Sequence, residues 1–276
     1  MSIPSSGTRI RVASFNIGDF TTATESAKNH IKYGSGTPKS LQTYLEVFRE
    51  VNADLWGLQE DSEFFFYPEE IYPYDALYKH VLPNYERVFT KSYNGKAFLS
   101  KYTLEDVAPV AYPTVATSYA PEGTTAYGHP WFLTGSITVG GKRIAIVTLH
   151  FDWSCKERRA TQIDTVIQYA QEQEYCIIMG DFNPEDYVDD GKKVSTRLFY
   201  KEELARFEEI GFECANAGKF GTFDTIVHDS FSQISPCPFD NILVTPNITI
   251  EAANRHVEPW MNDHALVWAD IDILSL

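Results

Sequence analysis

Carboxylates, amides and imidazoles recur in this sequence at the ends of short apolar runs. Asn16 follows Val-Ala-Ser-Phe, Glu60 follows Leu-Trp-Gly-Leu-Gln, and His150 and Asp152 follow Ile-Val-Thr-Leu. Asp181 and Asn183 close Ile-Ile-Met-Gly, Asp240 and Asn241 precede Ile-Leu-Val, and Asp263-His264 precede Ala-Leu-Val-Trp. Hard oxygen donors of this kind hold divalent cations, and imidazoles beside carboxylates move protons near neutral pH. At any one position an Asp or Asn is ordinary turn chemistry, bonding to nearby backbone. Six such sites on six strand ends point to one polar rim. Periodicity alone goes no further.

The elements that must position these residues are legible around them. Arg9 to Asn16 reads as a strand, with Ile10, Val12 and Ser14 on one face and Ala13 and Phe15 on the other. Gly18 to Thr37 has no apolar period and reads as a loop. Thr37-Pro38 opens a helix whose apolar positions are Leu41, Leu45, Phe48 and Val51. Leu55 to Gln59 is a buried strand, and Ala97 to Ser100 and Ile137 to Val139 are strand-like. Gly140-Gly141 turns a hairpin into Arg143–Leu149. Ser154-Cys155-Lys156-Glu157 matches a capping box, ahead of a helix with Ala160, Ile163, Val166, Ile167 and Ala170 inward. Tyr175 to Met179 is a strand, Lys201–Ile210 a helix, and Asn241–Thr245 and Ala265–Ile271 are strands. Hairpins and strand–helix–strand units together suit a sandwich of sheets with helices outside, in a single domain over 1–276.

Composition narrows the function. The chain has 276 residues, with Lys+Arg 23 against Asp+Glu 38, a net charge of −15. A broad phosphate-tracking surface would be basic, so non-specific coating of nucleic acid is disfavoured. Carboxylates destined for a cation still count as negative, so a phosphate ester substrate stays open. No apolar run is long enough to span a membrane. The four cysteines form neither a disulfide framework nor a CxxC zinc pair, and no apolar leader opens the chain; a reducing, cytoplasmic setting is expected.

Taken in order, Ser-Phe-Asn16-Ile, Gln-Glu60, Leu-His150-Phe-Asp152, Gly-Asp181-Phe-Asn183, Phe-Asp240-Asn-Ile-Leu-Val and Asn-Asp263-His264-Ala-Leu-Val resemble the motif series of the endonuclease/exonuclease/phosphatase superfamily, with Arg159-x-x-Gln162 on the helix after His150. Deoxyribonuclease I, exonuclease III-type apurinic endonucleases, neutral sphingomyelinases and inositol polyphosphate 5-phosphatases belong to it. The resemblance spans residues 13 to about 271. It implies an α+β fold of two mixed sheets flanked by helices, in α/β/β/α layers, and metal-dependent hydrolysis of a phosphate ester at the rim.

The resemblance also implies roles. Glu60 would hold Mg²⁺, with Asn16 and Asp263 close to the ion; Mn²⁺ suits the same oxygens. Asp181 and Asn183, two apart on an extended segment, would orient the attacking water and contact the phosphate. Asp240 would fix the tautomer of His264, and His150 would donate to a phosphoryl oxygen. Which of Asp181, His150 and the His264 pair is the base stays open. Asn262 stands where the family usually has Ser, the sequence identifies no carboxylate partner for His150, and the 5-phosphatase run is replaced by Ser-Pro-Cys237-Pro-Phe-Asp240.

The leading expectation is a Mg²⁺-dependent phosphodiesterase, a nuclease foremost, acting as a monomer. A phosphomonoesterase or sphingomyelinase-like lipid phosphodiesterase is the alternative, and a catalytically silent binding module a third. Lys192, Lys193, Arg197 and Lys201 could meet a second phosphate, and Tyr119, Tyr127 and Trp131 could stack on a base, although solvation and packing are the commoner fates of such residues.

Overall fold

The structure is a computed structural model. It describes residues 8–18, 38–61, 74–90, 95–113, 130–152, 155–184, 196–217, 219–222, 238–258, 262 and 264–273, without the side chains of 38–40, 74 and 196–201. Along the chain run β1 (Arg9–Asn16), α1 (Pro38–Val51), β2 (Leu55–Gln59), α2 (Tyr74–Val81), β3 (Glu86–Phe89), β4 (Lys96–Ser100), β5 (Glu105–Ala111) and β6 (Trp131–Val139). Then follow β7 (Lys142–His150), α3 (Lys156–Gln171), β8 (Cys176–Asp181), α4 (Thr196–Glu208), β9 (Glu213–Cys214), β10 (Asp240–Val244), β11 (Ile248–His256) and β12 (Leu266–Ile273).

Two mixed sheets result. One has the order β11-β12-β1-β2-β4-β3, the other β5-β6-β7-β8-β10-β9. Each is built around one parallel pair, β1–β2 and β7–β8, whose crossovers contain α1 and α3. The neighbours on either side are antiparallel. That arrangement dictates the rim. Parallel strands end there, and the antiparallel β10 and β12 start there.

Side-chain alternation along the strands produces the layers. Val12 and Leu55 of the first sheet meet Ile146, Ile177 and Ile242 of the second in the central core. Ala13, Phe15, Trp56 and Leu58, on the opposite face, pack under Leu45 and Phe48 of α1 and Tyr78 of α2. Val147, Leu149 and Ile178 pack in the same way under Ile163 and Val166 of α3 and Phe207 of α4. The order is therefore α/β/β/α, as the motif series implies.

One hairpin turn and one strand position require glycine. Gly140 and Gly141 have φ of 57° and 79°, the left-handed values a two-residue hairpin demands. Gly57 faces the second sheet at close quarters: a Cβ there would sit 2.8 Å from the Met179 Cβ and 3.1 Å from Thr148. One local expectation changes. The N-cap of α3 is Cys155, in extended conformation and with no side-chain cap bond, while Ser154 lies outside the described residues. Glu157 accepts from its own backbone N–H and from the Cys155 thiol, which hold its carboxyl below the ordinary value. No helix among the described residues is long and apolar enough to cross a membrane.

Candidate active site

The strand ends deliver their polar residues to one place. Asn16 ends β1 and Glu60 follows β2; His150 ends β7 and Asp181 ends β8. Asp240 begins β10, directly across from Asp181 in the ladder, and His264 stands just before β12. His150 and Asp181 are likewise register partners in the parallel pair. Asp263 lies outside the described residues.

Asp181 Oδ2 is the hub. The Asn16 amide donates to it at 3.1 Å, His150 Nε2 lies 3.4 Å away and His264 Nε2 3.6 Å away. Two of those three partners come from the opposite sheet. The same Asn16 amide donates to Glu60 Oε1 at 3.0 Å, while Asn16 Oδ1 accepts from the Gly18 N–H. Asn16 thus offers its NH₂ to the two carboxylates and bridges the sheets. His264 Nδ1 sits 2.9 Å from Asp240 Oδ2, the carboxylate–imidazole pair expected from the motif series. Sequence reasoning found no partner for His150. The structure places it between Asp181 and Glu60, whose Oε1 is 3.8 Å from Nδ1.

Asn183 reaches the site by a different route from the one expected. The strand ends at Asp181, so alternation does not aim Asn183. Its φ is 42°, and its backbone N–H donates to Asp181 Oδ1 at 2.9 Å, an Asx-type turn. One amide hydrogen of Asn183 goes to the Phe151 carbonyl. Asn262 does the work of a hydrogen-bonding neighbour: its Oδ1 accepts from the His264 N–H and its Nδ2 donates to the Asn16 carbonyl. Arg159 and Gln162 are buried and hold the turn after His150, donating to the Asp152 carbonyl and accepting from the Asp152 N–H.

Burial sets the electrostatics. Asp181 is almost wholly buried, and desolvation pushes its carboxyl up to about 8, against the opposing pull of His264. Asp240 adds to the rise, and the hydrogen bonds from Asn16 and Asn183 subtract from it. Among the described residues Asp181, Asp240 and His264 offer ligating atoms all within 4.8 Å of one another. Asp240 Oδ1 is buried and has no hydrogen-bond partner among the described residues.

Sequence reasoning missed residues behind this rim. Lys96, at the start of β4 opposite Gln59, is fully buried with its ammonium 4.1 Å from the Trp131 ring centre. Burial pushes that ammonium down to about 7, opposed by Glu60. Trp131 therefore covers a lysine rather than standing free for stacking. Asp61 and Arg87 form a buried ion pair next to Glu60, and only the polarity of Asp61 after Gln-Glu signalled it. Tyr119, Tyr127, Lys192 and Lys193 lie outside the described residues, as do the side chains of Arg197 and Lys201. A groove of about 540 Å³ at the far end of the first sheet contains Arg9 and Arg11, both paired with carboxylates there.

A family model described as the Endonuclease/Exonuclease/phosphatase family matches residues 13–260. No curated protein matches the chain. Solved structures do, at the level of the fold. An endonuclease/exonuclease/phosphatase family protein from Bacteroides thetaiotaomicron is 16% identical, with a TM-score of 0.68 over 97% of this chain and 98% of that one. A mannosyl-6-phosphatase from the same species is 17% identical, with a TM-score of 0.66 over 95% and 99%. TDP2 from D. rerio, complexed with a single-strand DNA product, is 15% identical, with a TM-score of 0.62 over 96% and 99%.

Proposed function

The chain belongs to the endonuclease/exonuclease/phosphatase family, and on that premise we propose that it is a Mg²⁺-dependent phosphodiesterase with nucleic acid as its leading substrate class. Phosphoester hydrolysis is the chemistry of the family. The observation that carries the proposal is the convergence on Asp181 Oδ2 of Asn16, His150 and His264, drawn from both sheets to one rim.

The donor set fits a hard divalent cation, which prefers carboxylate and amide oxygens and keeps several waters. Glu60 would hold it, since its side chain is 22% exposed and has room for a hydrated ion, whereas Asp181 and Asp240 are closed in. Asn16 would steady the Glu60 carboxylate, and Asp263 is the further ligand expected from the sequence. Bound there, Mg²⁺, or Mn²⁺ on the same oxygens, supplies positive charge to the phosphoryl oxygens.

The remaining groups act on protons and position. Asp181 orients the attacking water and, in its ionised form, accepts its proton; burial makes that carboxylate a stronger base than an exposed one. Asp240 fixes His264 through Nδ1, so that Nε2 faces the reacting centre. His150 donates to a phosphoryl oxygen, and the second amide hydrogen of Asn183 meets another. The chain acts in this reading as one monomeric catalytic domain in the cytoplasm.

A phosphomonoesterase is the second reading, favoured by the net charge of −15, which suits a small or headgroup substrate better than a long polyanion. The fold-level likeness to a mannosyl-6-phosphatase supports it too. Purified protein incubated with plasmid, single-stranded DNA, RNA, sphingomyelin and sugar and inositol phosphates, with Mg²⁺ or EDTA, separates the readings. Metal-dependent cleavage of a nucleic acid is the expected result. Release of phosphate from monoesters alone would replace the first reading by the second, and inactivity without Mg²⁺ binding would leave a silent binding module.

A further inference from the structure

We propose that Arg87 is a positioning residue for Glu60, acting through Asp61, so that cation affinity depends on an ion pair that touches neither cation nor substrate. The inference rests on the reading of Glu60 as the cation's holder.

It starts from backbone geometry. Glu60 has φ of 56°, in the left-handed region that a residue with a Cβ enters only against steric strain. Such a conformation persists only where the surroundings over-determine it. Gln59, on the near side, accepts from the Ile17 N–H at 3.0 Å through its carbonyl. On the far side the Asp61 N–H donates to the Gly95 carbonyl at 3.0 Å. The Asp61 side chain adds the third constraint, accepting from Arg87 Nη2 at 2.6 Å.

Arg87 is built to hold still. It stands on β3, the edge strand, and reaches past β4 to the turn after β2. Its guanidinium lies 4.3 Å from the ring centres of both Tyr78 and Phe89, and Asp75 is 3.6 Å from Nη1. The side chains of Arg87 and Asp61 are 6% and 0% exposed. A flat, delocalised cation fills such an aromatic slot and forks toward a carboxylate; an ammonium does neither as well. Stability alone does not call for such a pair, because well-packed apolar residues commonly match or exceed it. What an apolar pair would not supply is a directed bond on the residue after Glu60. Released from it, the turn relaxes toward ordinary backbone and carries the Glu60 carboxylate away from Asn16 and His150.

Calorimetric titration of Mg²⁺ into folded protein, with thermal melting by circular dichroism, tests this on wild type, Arg87→Lys and the double variant Arg87→Met/Asp61→Leu. Partners of metal ligands change affinity by about 10–100-fold when removed. The double variant should melt near wild type yet bind Mg²⁺ at least about 10-fold more weakly. Arg87→Lys, which keeps the charge and decides the matter should the double variant not fold, should also bind Mg²⁺ more weakly at a similar melting temperature. Wild-type affinity in either folded variant overturns the inference. Absence of Mg²⁺ binding by wild type itself would instead sink the reading of Glu60, and the inference with it.

Discussion

Asp181 divides its two oxygens between tasks. Oδ1 accepts the Asn183 backbone N–H and fixes the turn, while Oδ2 faces Asn16 and both imidazoles. In the proposed mechanism, removing it takes away a positioned proton acceptor, and removing His264 takes away the group that Asp240 pairs with. Asp181→Ala and His264→Ala should each lower kcat on the cleaved substrate by at least about 10²-fold, measured under saturating Mg²⁺. Glu60→Ala should instead shift the Mg²⁺ concentration for half-maximal rate upward, which a metal titration of turnover reads directly. Asp181 also gives a pH signature. Its folded carboxyl titrates near 8 and its unfolded one near 3.8, so between those values the folded form holds a proton that the unfolded chain has lost. Its contribution to stability therefore declines as pH rises through that window. In EDTA, wild type should lose melting temperature relative to Asp181→Asn between pH 5 and 8; a constant gap would show that the carboxyl is not held protonated.

The parallel pairs are the elements on which the site depends, and Gly57 shows how closely they are pressed together. An added methyl there meets Met179 and Thr148 of the facing sheet, so the sheets must part just below the rim. Gly57→Ala should cost about 1–3 kcal/mol in urea unfolding and reduce kcat as well, since Asn16 and Asp181 belong to different sheets. Such central strands are legible because burial on both faces leaves nearly continuous apolar runs, as in Leu55–Gln59 and in Tyr175 to Met179. The edges are not. β11 has exposed or half-buried residues at nearly every position and a register shift between Ile250 and Ala252, so no alternation survives in its sequence. β5 is as exposed and carries Pro109. The candidate site was readable for the same reason as the central strands: Glu60, His150 and Asp181 interrupt apolar runs. Lys96 and Arg87 lie within or beside strands, where a cation reads as solvent-facing, and only tertiary packing buries them.

At the scale of the molecule, the proposed cation would bind where Glu60, Asp181 and Asp240 converge at the rim and would couple metal binding to folding. Mg²⁺ binding to the folded form alone should raise its unfolding free energy by about 2.7 kcal/mol at a concentration a hundred times the Kd. Thermal melts across a Mg²⁺ series, reversed by EDTA, check this, and a flat series would count against the cation site. The topology adds something about synthesis. β1 pairs with β12 in the middle of the first sheet, and 263 residues separate the partners Arg9 and Asp272. At a ribosomal pace of about 5–20 residues per second, the earlier strand waits roughly 13–53 s for the later one to emerge. Asn16 meets His264 only after a similar delay, so a stalled or truncated nascent chain presents an apolar strand lacking its β12 neighbour and an incomplete polar cluster. Chaperone demand and the onset of activity are thereby tied to the same late event.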